Sequence, residues 1–249
     1  MAGRVETAII LAAGLGQRLS SVWDRPKGLL TFGKESLIER SLRLLKAHSM
    51  RRIVIVTGFS SDHYQPLAGP GVELVHSNLY ATTGSMTSLS RALDVVETDF
   101  LLLESDIAYE ARALEALANH PAEDVVLASG PTGATDEVWI GALQGRVATL
   151  SKEAPVEARG AEFTGLTKIS APLARLMNDA LHDGHDPGMA YDTGALPIAA
   201  RHRAVTLCIV PDLLWGEVDD AFHYERMRDR VWPNLDSPST AEALEVQRL

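Results

Sequence analysis

Apolar and polar positions along the chain follow two spacings in turn. Residues 8–12 form a short unbroken apolar run, the pattern of a strand buried on both faces. Stretches 52–57, 72–76, 100–103 and 125–128 repeat it, rich in Val, Ile and Leu, and Gly58 closes the first of them. Between these runs the spacing becomes helical. Leu37, Ile38, Leu42, Leu44 and Leu45 trace one face of a helix ending near His48. Ser36-Leu-Ile-Glu39 opens it as a capping box, with a hydroxyl at the N-cap and a carboxylate three residues on. Met86, Leu89, Leu93 and Val96 predict a helix over 85–96, with shorter helices over 60–67 and 111–119. Strand, helix and strand in succession predict βαβ units, hence a parallel sheet.

The second half changes character. Stretches 138–143 and 146–151 read as a hairpin around Gln144-Gly145, and 162–170 as extended chain. Pro172 begins a helix carried by Leu173, Leu176, Met177 and Leu181, and 189–196 reads as another. A strand over 204–210 and a polar helix over 220–231 follow, and the last fifteen or so residues read as a surface appendage. The expected class is α/β: a Rossmann-like, mixed but mostly parallel central sheet flanked by helices, with ligands at the carboxyl ends of the strands.

Composition narrows this picture. The 249 residues contain no Pro/Gly/Ser-rich linker, so one large domain over 1–235 with a tail over 236–249 is expected. A formal charge of −10 argues against non-specific nucleic-acid binding, although Arg18, Arg25, Lys27 and Lys34 gather near the first loop. Cys208 is alone, which excludes an intrachain disulfide and a thiolate zinc site; its apolar setting predicts a packed thiol. No signal-like or membrane-length apolar segment is present, so a cytoplasmic enzyme without a membrane partner is expected. His182-Asp-Gly-His185-Asp186 has chelating spacing, but Gly184 and Pro187 favour a polar loop between helices.

Candidate chemistry begins where the first strand ends. Ala13, Gly14 and Gly16 let the backbone turn sharply and expose its N–H groups, and Arg18 and Lys27 follow closely. A bare main-chain concavity beside two cations is a place to hold a polyphosphate. It is not a dinucleotide fingerprint, because Leu19 stands where the third small residue belongs. It is not a P-loop either, because Gly16-Gln17-Arg18 lacks the closing Gly-Lys-Ser/Thr. Asp106 lies at the carboxyl end of the 100–103 strand, on the same sheet edge as the glycines. In Trp215-Gly-Glu-Val-Asp-Asp220, alternation puts Glu217 and Asp219 on one face, and Asp220 suits the N-cap of the closing helix.

The register L-A-A-G-x-G-x-R-L followed by R-P-K, at Leu11 to Leu19 and Arg25-Pro26-Lys27, resembles the signature of nucleotidyltransferases of the nucleoside-diphosphate-sugar pyrophosphorylase type. Within that superfamily the chain is similar to the CTP-dependent phosphocholine and 2-aminoethylphosphonate cytidylyltransferases. Asn78-Leu-Tyr80 with Ser88-Leu89 resembles their Asn-x-x-Tyr element before a Ser-Leu helix. Asp106, Lys152, Thr164-Gly-Leu-Thr-Lys168 and Glu217-Val-Asp219 resemble their later markers. Gly84-Ser85 departs from the Asn pair that the family often carries, which puts base or ribose recognition there in question.

The resemblance implies a GT-A type fold, with a nucleotide-binding half over about 1–130 and an acceptor half over about 131–235. It implies transfer of CMP from CTP to a small phosphate or phosphonate, with release of pyrophosphate. Arg18 and Lys27 would serve the triphosphate and Lys152 the acceptor phosphoryl group. Leu11, Ala12, Ala13, Gly14, Gly16, Asn78, Thr83, Gly84, Ser85 and Ser88 would bind the nucleotide. Asp106 and Asp219 would hold Mg²⁺. A choline or aminoalkyl acceptor is a cation, suited to aromatic faces beside carboxylates, and Trp139, Tyr191, Asp192 and Glu217 offer them. Sugar-1-phosphate or inositol-phosphate acceptors, a non-catalytic nucleotide-binding domain, and either a monomer or a homodimer remain open alternatives.

Overall fold

The strand β1 (Thr7–Ala12) is buried along its whole length, as its apolar run requires. In the computed structural model, which describes residues 5–20, 23–153, 160–184 and 186–236, this strand sits inside a nine-stranded sheet. Two-residue strands β2 (Thr31–Phe32) and β3 (Glu35–Ser36) turn about Gly33 and lead into α1 (Leu37–Ala47). The capping box forms: Glu39 N–H donates to Ser36 Oγ, and Ser36 N–H donates to Glu39 Oε2 at 2.7 Å. Then come β4 (Arg52–Thr57), β5 (Val72–His76), α2 (Ser85–Leu93), β6 (Phe100–Glu104), β7 (Ile107–Tyr109), α3 (Arg112–Ala118) and β8 (Val125–Ser129). The second half supplies β9 (Trp139–Leu143), β10 (Arg146–Ser151), β11 (Glu162–Ile169), α4 (Ala171–Gly184), α5 (Leu196–Ala200), β12 (Thr206–Val210), β13 (Trp215–Glu217) and α6 (Ala221–Arg226).

The sheet order is β5-β4-β1-β6-β11-β8-β12-β10-β9, and all strands but β10 and β11 run one way. The chain leaves β1 toward β4 and β5 on one side, then returns to place β6 on the other. That reversal opens a crevice at the carboxyl ends of β1 and β6, where an open α/β sheet binds ligands. Alternate residues of β1 feed two cores. Ile9 and Leu11 pack with Met86, Leu89, Leu173, Met177 and Leu196. Ala8, Ile10 and Ala12 pack with Ile38, Leu42, Leu45 and Leu114 on the other face. Each fully buried Leu or Ile contributes about 1.5–3 kcal/mol, so both sheet faces are firmly anchored.

A third, smaller core bears directly on the site. Val218, Met227, Val231 and Leu235 pack against Leu19, Leu30, Phe32 and Leu37, which lays the end of the chain over the first loop. Arg40, 2% exposed, grips Asp236 through Nη1 at 3.0 Å and Nη2 at 2.9 Å and lies over the Trp232 ring. A two-stranded ribbon of β7 and β13 completes the arrangement, pairing Glu217 with Ile107.

Several expected elements differ. The helix expected over 189–196 becomes a π turn at Tyr191–Ala195 running into α5. The backbone just before it is engaged elsewhere: Gly84 and Met86 N–H donate to the carbonyls of Pro187 and Met189. The closing helix begins as expected, with the Asp220 carboxylate accepting from His223 N–H at 2.9 Å, but widens into a π turn over Met227–Val231. Residues 61–67 form a 3₁₀ turn containing Pro66, and α2 ends three residues short of Val96. Cys208 is half-buried against the second core rather than enclosed, and burial pushes its thiol pKa up. His182 sits in the last turn of α4 rather than in a loop, whereas His185 and the tail beyond 236 lie outside the described residues. No helix among the described residues is long and apolar enough to cross a membrane.

Candidate active site

The loop after β1 is shaped by its glycines. Gly16 adopts φ +62°, and a Cβ there would approach Lys27 Cγ to 3.1 Å, so glycine lets the lysine stem pass beneath the turn. A Cβ on Gly14 would meet no atom within 4 Å, because that residue faces an open cavity. Pro26 turns the chain into a 3₁₀ turn that starts at Lys27. The Lys27 ammonium forms ion pairs with Asp106 and, at 2.5 Å, with Asp219 Oδ1. Arg18 Nη2 holds the other oxygen of Asp219 at 2.6 Å. The β7–β13 ribbon makes this meeting possible, since Val218 N–H donates to Asp106 C=O at 3.0 Å. Two aspartates 113 positions apart in sequence thus share one ammonium.

These residues line a cavity of about 460 Å³. Leu11, Ala12, Ala13, Gly14, Gly16, Arg18 and Lys27 form one side. Thr83, Gly84, Ser85, Ser88, Asp106, Tyr191, Glu217 and Asp219 form the rest, joined by Tyr64, Tyr80, Glu104 and Ser105. A second cavity of about 230 Å³ holds Lys152 and Asp192 with Thr132, Asp136, Glu137, Glu162, Phe163, Trp215, His223 and Arg226. Arg18, Ser85, Glu104, Glu217 and Asp219 line both cavities and form the seam between them.

Two expected residues are not brought in. Asn78 is exposed and lines neither cavity. The inward position belongs to Ser77, which is buried and whose Oγ accepts a hydrogen bond from Ser88 Oγ at 3.1 Å. The stretch Asn78-Leu-Tyr80 is also one residue shorter than Asn-x-x-Tyr, and it is Tyr80 that reaches the cavity. Trp139 starts β9 and is buried there, while Glu137 and Val138 just before it face the second cavity. Conversely, Glu104 and Tyr64 line the cavity without any motif to mark them. The signal for Glu104 was a lone acid ending the apolar run Phe100-Leu-Leu-Leu. Tyr64 lies in a polar stretch whose periodicity gave no hint that its ring is wholly buried at the cavity wall.

Gly84-Ser85 has a structural explanation. A Cβ on Gly84 would lie 2.2 Å from Met189 C=O and 2.4 Å from Gly188 C=O, and Ser85 Oγ accepts from Tyr191 N–H at 3.0 Å. The pair fastens the start of α2 to the 187–191 segment, joining two cavity walls. Gly84→Ala is therefore expected to lower stability by about 1–3 kcal/mol, as overpacking against backbone does. Denaturant titration checks this; an unchanged midpoint would show that the segment yields freely.

The electrostatics are lopsided. Burial alone would lower the Lys27 pKa, but Asp106, Asp219 and Glu217 outweigh it and raise it. Burial alone would raise Asp219, but Lys27 and Arg18 hold its carboxyl well below the usual range. Glu104 is pushed up to about 8, first by burial, then by the charges of Asp106 and Asp192, against a hydrogen bond from Tyr191. Glu217 is raised well above its ordinary value by burial and by Asp106, Glu104 and Asp219. Burial pushes Glu162 up to about 7, although Thr132 donates to it through both N–H and Oγ1. Perturbed carboxylates in a cleft are a mark of function. They also fix a pH trend. Carboxyls raised from 4.5 to about 8 and about 7 keep protons in the folded state that the unfolded chain has released. These two groups make stability without ligands fall as pH rises through that window. Thermal melts at successive pH values are expected to show this decline, and Glu162→Gln to flatten its lower part. A melting temperature that rises from pH 5 to 8 would contradict these environments.

An oxygen-only donor set suits Mg²⁺. Glu104, Asp106 and Glu217 offer oxygens within 4.8 Å of one another, whereas Asp136, Asp219 and His223 form a second group that includes an imidazole nitrogen. Asp106 and Asp219 thus fall in different groups and meet through Lys27. The crowding of carboxylates, with Lys27 already drawn between Asp106 and Asp219, fits a site that receives a divalent cation.

A glycine loop at a sheet switch point, with cations and paired aspartates around it, defines a protein that handles nucleoside triphosphates. The chain belongs to the MobA-like NTP transferase family, whose model matches residues 8–179. A curated relative, the CMP-5'-(3-aminopropyl)phosphonate synthase of Streptomyces rubellomurinus, is 28% identical over 95% of this chain, which spans about 40% of that relative's length. Among solved structures, the inositol-1-phosphate CTP transferase from T. maritima aligns with TM-score 0.77 at 17% identity, covering 94% of this chain and 96% of that one. The CTP:phosphocholine cytidylyltransferase of Streptococcus pneumoniae aligns with TM-score 0.73 at 19% identity, covering 91% and 99%. At these identities the structural likeness is one of fold: Rossmann-like α/β with a mixed sheet.

Proposed function

We propose that the protein is a CTP-dependent cytidylyltransferase acting on a small phosphate or phosphonate that carries a cationic group, an aminoalkyl phosphonate foremost. The observation that carries this reading is the seam: a polyphosphate-sized cavity opens beside an acidic one across Arg18, Ser85, Glu104, Glu217 and Asp219. The names of the relatives support the reading, since they pair CTP with inositol-1-phosphate and with phosphocholine and name a CMP-aminopropylphosphonate.

In the reaction, an anionic oxygen of the acceptor attacks the α-phosphorus of CTP in line. A new P–O bond forms, the bond to the bridging oxygen of the β-phosphate breaks, and pyrophosphate leaves with that electron pair. The acceptor oxygen is already anionic, so no general base is required. Lys27 and Arg18 supply positive charge to the triphosphate, and the main chain of the glycine loop orients it. Lys152 serves the acceptor phosphoryl group. Asp106 and Asp219 would hold Mg²⁺, which would supply charge neutralisation to the phosphates when bound.

The acidic second cavity favours a cationic acceptor over a neutral polyol or a sugar phosphate. A pyrophosphate-release screen of four ribonucleotides and dTTP against aminoethylphosphonate, phosphocholine, inositol phosphate and glucose 1-phosphate tests this. Release with CTP and a cationic acceptor is expected. Release with UTP or dTTP and a sugar phosphate alone would move the protein to the sugar nucleotidyltransferases.

A further inference from the structure

Resting on the proposed function, we infer that Glu104 is the residue that makes the acceptor site select a primary ammonium over a trimethylated one. Glu104 lies on the seam, lining both cavities, and its carboxyl group is anchored on one side and given room on the other. Tyr191, itself buried, donates its hydroxyl to Glu104 Oε1 at 2.8 Å. On the other side β11 breaks its register with β8 between Phe163 and Thr167, and Gly165 there adopts φ +76°. A Cβ on Gly165 would come within 3.2 Å of Glu104 Oε2. A strand irregularity and a buried tyrosine thus make room for a carboxyl group that forms no ion pair among the described residues.

The surroundings decide what kind of cation it receives. Seven carboxylates line the second cavity against three Lys or Arg side chains. Glu217 and Asp192 join Glu104 there, and neither forms an ion pair among the described residues. A primary ammonium has three N–H donors and needs oxygen acceptors around it. A trimethylammonium has none and is bound chiefly by aromatic faces. The aromatic side chains lining this cavity are Phe163 and Trp215, each only 5% exposed, and Trp215 Nε1 is spent on Ser129 Oγ at 2.7 Å. The lining therefore offers oxygen acceptors in abundance and little ring face.

The test compares kcat/KM for 2-aminoethylphosphonate, its N,N,N-trimethyl derivative and the uncharged propylphosphonate, with CTP and Mg²⁺, in wild type and Glu104→Gln. Wild type is expected to prefer the primary amine over both others by at least tenfold. Glu104→Gln is expected to reduce the preference for aminoethyl over propyl by tenfold or more. Tyr191→Phe, which frees the carboxylate from its anchor, is expected to reduce the same ratio, and this holds the test should the first variant fold poorly. Equal losses on the charged and uncharged acceptors would overturn the assignment and place Glu104 on the nucleotide or metal side. Equal use of the trimethylated acceptor by wild type would overturn it as well, while leaving cytidylyl transfer standing. Absence of CMP transfer to every acceptor would overturn the proposed function and this assignment with it.

Discussion

Lys27→Ala is expected to lower kcat by on the order of 10²–10³-fold, the scale of losing one preorganised donor to a developing anionic centre. The KM for the acceptor is expected to change by only a few-fold, because Lys27 lines the larger cavity and not the second. That split identifies an interaction made chiefly in the transition state. The variant also leaves Asp106 and Asp219 facing each other without their shared cation. Breaking one side of a buried ion pair costs up to about 3–5 kcal/mol, so the metal-free variant should melt below wild type. Millimolar Mg²⁺ should then raise the variant's melting temperature more than that of wild type, since a divalent cation can take the place of the ammonium. Thermal melts with and without Mg²⁺ read this without any turnover. An Mg²⁺ response no larger than that of wild type would show that these two carboxylates do not serve a metal.

Asp219→Asn is the second large effect. Each carboxylate oxygen of Asp219 holds one cation, Lys27 on Oδ1 and Arg18 on Oδ2. Neutralising it unfastens both cations proposed for the triphosphate and removes a candidate metal ligand, so turnover should fall by about 10²-fold or more, near 2.7 kcal/mol. The fold should persist, because the substitution conserves volume. Asp220→Ala gives the contrast. Its neighbouring carboxylate caps α6 through His223 N–H, a role worth about 1 kcal/mol of stability. Activity near the wild-type level is expected for Asp220→Ala, measured at a temperature where both variants remain folded. Similar losses in the two variants would mean that Asp219 acts only by holding the closing helix in place.

The lining of the larger cavity was more legible in the sequence than that of the second, for physical reasons. Apolar runs such as 8–12 and 100–103 can be satisfied only by strands buried on both faces, and glycines directly after such a run leave few alternatives to a ligand-binding turn. The Ser36 capping box and the Asp220 cap are likewise local chemistry, complete within a few residues. The β7–β13 ribbon is different. Its strands are three residues long, have no measurable period, and acquire their partners only through the third core. Alternation puts Glu217 and Asp219 on one face, but the meeting of Asp219 with Lys27 depends on partners that no local pattern carries. Trp139 shows the opposite failure. Neighbouring acids in sequence suggested an aromatic cation pocket, but the strand buries the ring and turns Glu137 and Val138 to the cavity instead. The role of Glu104 depends on Tyr191 and Gly165, both more than sixty positions away, so nothing near it in sequence announced it.

The most direct measurement follows the phosphorus atoms. With CTP, 2-aminoethylphosphonate and Mg²⁺ in the tube, ³¹P NMR is expected to show paired doublets of a phosphonate–phosphate anhydride growing together with pyrophosphate, in equal amounts. CTP left intact, or converted to CDP and orthophosphate without any anhydride, would contradict the account at its centre.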